Sequence, residues 1–512
     1  MIRRVILFSA MLWCVSDVVS DAATLYSTVA NEPVAVISDT LFSETENLAS
    51  RDVPSATEDT LCLFPRKKCP WRAAAQLVGF NASLQLFDRF VLKGAYAQST
   101  IHDIRRNLKL TNWFWDSDVF YTNLVAHPYH GSLHYNIARS NGMNFLESTG
   151  YTIGGDLLWE FFGETEMPSV NDLISTAAGG IAIGEVTHRV ARQVYRPQWR
   201  GFRRVMNELL GAAFNPMGAL NRVLTGEAWT VARPPAEDTA ADFEATLSVG
   251  WRHIGVNDST HTRFNTPYLY LHILYGDPYE DNYKPYDYFD AGMAITVGSC
   301  QKFVSRIHIL GELYGRNIVD KPHFQAKAGL YQHFGYAYTN PVKGGSAAYQ
   351  ISEVASAGIG LMYKAYDTGG LCSFEQQLFF NGMGLGGMFS DYLDNPARRN
   401  YNMGSGFTAK IHNTLTVSNL ATVRFDADFY RMFTWLDYSM PVNSKPGQPL
   451  TAQGEAGNVS LWTLSPQLKI DISKNIAVKG FGCWYVRRSN YKHYPNVHLN
   501  SLECGMGVVC KI

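Results

Sequence analysis

From residue 243 to its end the chain repeats one pattern. Leu502, Cys504, Met506, Val508, Cys510 and Ile512 alternate with Glu503, Gly505, Gly507, Val509 and Lys511. Ala421, Val423, Phe425, Ala427 and Phe429 alternate with Thr422, Arg424, Asp426, Asp428 and Tyr430. The stretches Trp462 to Ile472 and Phe243 to Arg252 read the same way, apolar against mostly polar. Successive side chains of a strand point to opposite faces, so each stretch predicts a strand with one apolar and one polar face. A soluble sandwich turns the polar face to water. A membrane barrel turns the apolar face to lipid and the polar face to its lumen.

Length and spacing favour the barrel. About twelve strands fit between 243 and 512, each of about 10 to 15 residues, which suits a tilted membrane-crossing strand. Strands in globular proteins average about five or six residues. The links alternate in size: long around 336–348, short at 367–370, long around 386–402, short near Ser418, long over 435–457, short at 473–475 and long over 489–497. Long outer loops and short periplasmic turns produce such an alternation. Trp251, Tyr275, Tyr286, Tyr314, Trp435, Trp484 and Tyr485 fall near strand ends, where membrane barrels carry aromatic girdles.

Upstream the period changes to that of helices, between Trp71 and Leu224. The best candidates are 73–90, 130–140, 145–162 and 169–192, with breaks at Gly142 and Gly163. Ser169 reads as the N-cap of the last, with Asp172 in its first turn. The small residues from Ala177 to Gly184 permit close helix contact. Met1-Ile2-Arg3-Arg4 and the apolar run after it read as a secretory signal, and residues 24–60 as a polar, flexible lead-in. The expected organisation is therefore α+β. It comprises a signal peptide (1–22), a lead-in (23–70), a helical domain serving as plug or periplasmic cap (71–230), and a C-terminal antiparallel transmembrane barrel (240–512).

Composition removes several alternatives. A formal net charge of −1 gives no electrostatic basis for nucleic-acid binding. Of eight cysteines, Cys14 falls in the signal. The odd remainder argues against a fully paired framework, although Cys62 and Cys69 are close enough in sequence to bridge. Cys300, Cys372, Cys483, Cys504 and Cys510 sit in or beside expected strands. No CxxC pair, phosphate-binding glycine loop or credible dinucleotide fingerprint occurs, so no cofactor is expected.

The densest polar constellation lies in the helical segment. It reads HPYHGSLHYNIARSNG, then GGDLLWEFFGETEMPSVNDLISTAAGGIAIGEVTHR. This string resembles an uncharacterised family of bacterial outer-membrane proteins known only as a domain of unknown function, over about Trp113 to Gly226. The resemblance implies an envelope location and a barrel following the helices, and nothing about substrate. On fewer residues the layout also resembles VanZ-like and small periplasmic lipoprotein families. Ile512 departs from the terminal aromatic usual in outer-membrane barrels.

His130 and His134 are four apart on one helical face, a spacing used by paired metal ligands, and Glu160 and Glu164 share that spacing. With Asp172 they are the candidate catalytic set. The structural alternative has the histidines linking helices and the glutamates accepting from Arg139 or Arg189. Ser132, between the histidines, lacks the GxSxG elbow of a hydrolase. A second set, Glu244, Arg252, Arg306, His308, Glu312, Arg424, Asp426, Asp428, Lys469, Lys479 and Arg487, is expected in the lumen, either setting selectivity or mutually paired. The expected role is structural or that of an occluded, gated pore. A hydrolase of envelope lipid or glycan is the alternative. Expected partners are outer-membrane lipid and the barrel-assembly machinery, without nucleic acid.

Overall fold

The structure, a computed structural model, describes residues 68–512 except 117, 233–241, 258–262, 282–283, 297–301, 341–346, 368, 370, 394–398, 419 and 438–451. The expected signal, most of the lead-in, Cys62 and Cys300 lie outside the described residues; Cys69, which is described, is a free thiol among them.

Among the described residues seven α-helices come first: α1 (Pro70–Phe90), α2 (Ile101–Asn107), α3 (His127–Ser140), α4 (Phe145–Leu158), α5 (Val170–Val194), α6 (Gly201–Phe214) and α7 (Pro216–Leu224). None of the described helices is long and apolar enough to cross a membrane. Local chemistry sets their starts. Proline opens α1 and α7, and Asn144 and Glu147 form a reciprocal capping box on α4. Ser169 caps α5 by accepting from the Asp172 amide, as its sequence implied. The sequence pattern did not resolve α2, α6 and α7. Two π-helical turns interrupt the regular spacing, Thr122–Ala126 leading into α3 and Trp159–Gly163 closing α4.

Twelve antiparallel strands follow: β1 (Phe243–Asn257), β2 (Arg263–Tyr275), β3 (Phe289–Thr296), β4 (Val304–Lys321), β5 (Phe324–Tyr338), β6 (Gln350–Tyr366), β7 (Cys372–Phe389), β8 (Tyr401–Val417), β9 (Ala421–Thr434), β10 (Gly457–Asp471), β11 (Ile476–Tyr491) and β12 (Val497–Lys511). Each pairs with the next, and β12 closes on β1 with Met506 opposite Trp251. The alternation resolves as apolar out and polar in: Val249 and Trp251 are 57% and 54% exposed, whereas Arg252 is 3% exposed. Four of the five links at the end where β1 starts are short turns, 322–323, 367–371, 418–420 and 472–475, and the β2–β3 link, 276–288, is long. One link departs from expectation, because β11 runs on to Tyr491 and leaves only 492–496 before β12.

The helices lie against the outside of the wall, a placement different from both a plug and a cap beneath the barrel. Ala245, Ile273, Ala291, Ile309 and Phe334 sit opposite one another across β1 to β5, on the face that points away from the lumen. All five are buried, in one cluster with Ala182, Val186 and Val190 of α5. The cluster continues through Leu385 and Tyr401 to Phe120 and Leu124, ahead of α3. Gln332 Nε2 donates to the Ala178 carbonyl of α5 at 2.9 Å, and Arg189 pairs with Asp287 of the β2–β3 link at 3.2 Å. This covering corrects the expected girdle. Tyr275 and Tyr286 are buried under helices and Tyr485 is buried in the lumen, while Trp251, Tyr314, Trp435 and Trp484 are exposed.

Candidate functional sites

Close packing of α3 on α5 comes from glycine, as the small-residue run implied. A Cβ on Gly180 would lie 2.6 Å from the Gly131 carbonyl carbon, and one on Gly131 would lie 1.9 Å from the Thr176 carbonyl oxygen. Between these helices, α4 and the segment before α3 lies a buried acidic cluster. Asp156, Glu160 and Glu164 follow one another at intervals of four and are joined by Asp116 and Asp172. The Glu160 carboxylate accepts from the Ser169 amide at 2.7 Å, and Glu164 accepts from the Trp159 indole at 2.8 Å. His127 Nε2 stands 3.5 Å from Asp172 Oδ1. Asn123 completes the set in the orientation that satisfies its neighbours, donating to Asp116 (3.3 Å) and Asp172 (3.2 Å) and accepting from the Tyr401 hydroxyl of the barrel wall (2.9 Å). Both π-helical turns border this cluster, a feature frequent at functional sites.

Burial pushes the Asp156 and Glu164 carboxyls up to about 8. It raises Glu160 as well, with Asp156 and Asp172 adding to the effect, and Asp172, with Asp116 adding. A carboxyl without a cation beside it is cheaper to bury protonated than charged. Glu185 shows the opposite outcome. Burial pushes it upward, yet Arg139 and Arg189 outweigh that and hold it below the ordinary range. Arg139 reaches Glu185 with two nitrogens (2.8 and 2.9 Å), Arg189 with one (2.8 Å), and the Tyr135 hydroxyl donates to it at 2.8 Å.

The candidate residues thus separate. Glu160, Glu164 and Asp172 converge. His130 and His134 share a face, with ring centroids 4.4 Å apart, but pack against Phe80, and His130 also meets Trp159. Burial draws the His134 imidazole down to about 3 and lowers His130 too. Ser132 spends its hydroxyl on the Tyr129 carbonyl at 2.6 Å. The expected arginine acceptor proves to be Glu185. His127, Asp116 and Asp156 are members that the sequence reading missed, although the Asp156-Glu160-Glu164 spacing signalled the last.

The lumen holds the second set. A cavity of about 1100 Å³ is lined by Glu244, Arg252, Arg306, His308, Arg424, Asp426, Asp428, Lys469 and Lys479 among others, all of them barrel residues. The charges are cross-linked. Glu503 receives Arg252 (3.1 Å) and Arg306 (3.0 Å), Asp426 receives Arg424 (2.8 Å), and Asp428 meets His412 (2.9 Å). Glu312 pairs with Lys327 at 2.9 Å and Arg487 with Asp391 at 2.5 Å, both outside the cavity lining. Lys410 pairs with Glu353. The lining reaches Ser418 and Ser473 at the short-turn end. Towards the long links, inward-facing Ile254, Met383, Met432, Val459, Leu461 and Leu499 meet in one apolar cluster, whose buried strand members come from β1, β6, β7 and β9 to β12.

Comparison with known proteins adds a family match and distant barrels. Residues 112–217 match the model of a family described as a domain of unknown function, DUF3943. No curated protein matches. Among solved structures, the NanC porin is 11% identical, with 51% of this chain and 98% of that chain covered and a TM-score of 0.25. A loop-deletion mutant of the outer-membrane protein OmpT of Vibrio cholerae is 6% identical (53% and 99% covered, TM-score 0.25). The toluene transporter TodX of Pseudomonas putida is 9% identical (53% and 88% covered, TM-score 0.21).

Proposed function

We propose that the protein is an outer-membrane barrel whose lumen is a closed pore: a polar chamber entered from the short-turn, periplasmic end and sealed towards the long links. The exposed apolar belt of Val249, Trp251, Ile359, Phe380, Trp462 and Met506 supports the location, since it supplies a lipid-facing surface. The inward apolar cluster carries the closure. Its residues come from opposite walls and meet across the lumen, the way hydrophobic constrictions gate channels. Below it, Glu503 ties β12 to β1 and β4 through two arginines.

Planar-bilayer recording tests this reading. The full-length refolded protein is expected to be silent, and Met383→Ser/Met432→Ser, which lets water into the cluster, is expected to conduct in discrete steps. A wild-type chain with a large steady conductance would remove the closed pore. Silence from a variant that keeps heat-modifiable gel migration would do the same.

A second reading, hydrolysis of envelope lipid or glycan, is favoured by one feature: Glu164 is a half-buried carboxyl that accepts from the Trp159 indole and that burial pushes up to about 8, the range a general acid needs. Cells overproducing the protein would then show altered lipopolysaccharide or peptidoglycan by mass spectrometry, and Glu164→Gln would abolish the change. Identical profiles from wild type and variant remove the hydrolase.

A further inference from the structure

One group in the chamber has the composition and geometry of a metal site. His272 of β2, Asp290 of β3 and His308 of β4 lie on three adjacent strands, with one ligand atom from each within 4.8 Å of the others. Both imidazoles approach the same carboxylate oxygen: His272 Nε2 is 2.8 Å and His308 Nε2 is 3.1 Å from Asp290 Oδ1. The register makes this convergence possible. His272 sits opposite Gly292, which sits opposite His308, and Asp290 is two residues along the middle strand on the same inward face. Glycine leaves room between them, because a Cβ on Gly292 would lie 2.3 Å from both His308 Cε1 and the Tyr270 hydroxyl and would push those side-chain ends aside.

We propose that these three side chains bind a divalent first-row transition metal, with the remaining coordination positions open to the chamber. Two imidazoles and a carboxylate suit zinc, cobalt, nickel or copper, and they leave room for water or for an oxygen-bearing solute. The surroundings support ligation. Tyr270 stacks against both imidazoles at 6.2 Å, and its hydroxyl is 3.5 Å from His308 Nδ1. When Nε2 turns to the metal its proton moves to Nδ1, and for His308 the Tyr270 oxygen is placed to accept from it, the usual outer-shell support of a ligating histidine. All three ligands line the chamber, so the ion has an entry path. Arg424 and Lys479 stand within electrostatic reach of Asp290. Asp426 offsets the first through two contacts to Arg424 Nε (2.8 and 2.9 Å), and the Lys479 ammonium sits over the Tyr270 ring at 5.4 Å. The bland alternative is a structural clamp in which both histidines donate to Asp290 and bind nothing. The site does not depend on whether the pore is closed.

The test is titration of the untagged, full-length refolded protein with Co²⁺, followed by its visible d–d absorption and by calorimetry. One equivalent per chain is expected, with affinity lost by about tenfold or more in His308→Ala and in the shape-conserving Asp290→Asn. His412→Ala, altering a lumen histidine paired with Asp428, is expected to keep wild-type binding. Heat-modifiable migration certifies that each variant folds. No stoichiometric binding by a folded wild-type barrel overturns the site, as does binding that His308→Ala leaves unchanged.

Discussion

Asp156 is a carboxyl buried without a cation at bonding distance among the described residues. It is 1% exposed, neither carboxylate oxygen has a hydrogen-bond partner within bonding geometry, and its carboxyl is raised to about 8. The sign of the resulting pH dependence follows from linkage. Below about pH 4 folded and unfolded chains both carry the proton; between about 4 and 8 only the folded form keeps it, so stability falls as pH rises across that window and levels off above it. Glu164 acts in the same direction. Hydrogen-exchange protection factors in α3 to α5, which divide out the intrinsic rise of exchange with pH, are therefore expected to be lower at pH 8 than at pH 5. Asp156→Asn is expected to flatten that difference and to protect these helices at pH 8 by about 2 kcal/mol. Equal protection at the two pH values in the wild type would show that the carboxyl is ionised in the folded state. At this scale the sequence was half legible. The spacing of Asp156, Glu160 and Glu164 marks one face of a helix, but Asp116 joins from an irregular segment. His127 enters through a π-helical turn, which resets the angular position of every residue around it.

At the scale of elements, α3 and α5 touch through backbone where Gly131 faces Thr176 and Gly180. A methyl group at Gly131 has no flexible side chain to push aside. Gly131→Ala is expected to destabilise the helical domain by about 1–3 kcal/mol or more, read as faster tryptic cleavage of the helices while heat-modifiable migration persists. Gly154→Ala, in α4 with nothing within 4 Å of its added Cβ, is expected to be neutral or to stabilise by about 0.5–1 kcal/mol. Equal cleavage of the two variants would remove the glycine contact as the reason for the close approach. Strand alternation made the barrel and its strand number readable. The docking of helices on its outside was not, for a physical reason. Phe334, Tyr336 and Tyr401 present the same outward apolar pattern whether lipid or α5 and its neighbours cover them, so periodicity is silent about the occupant.

For the whole molecule, the two polar sites lie on opposite sides of one sheet. Gln332, facing out, donates to the Ala178 carbonyl of α5, while its neighbour His333, facing in, meets Lys410 at 3.3 Å. A change in the helical cluster and a change in the chamber thus share strands β4 to β8 as a common wall. The chain order adds a consequence for biogenesis. Every described helix precedes every strand on which it docks, so the helical segment is synthesised before its seat exists. Until β1 to β8 have zipped together, the surface that later meets Phe334 and Tyr401 lacks the wall that buries it.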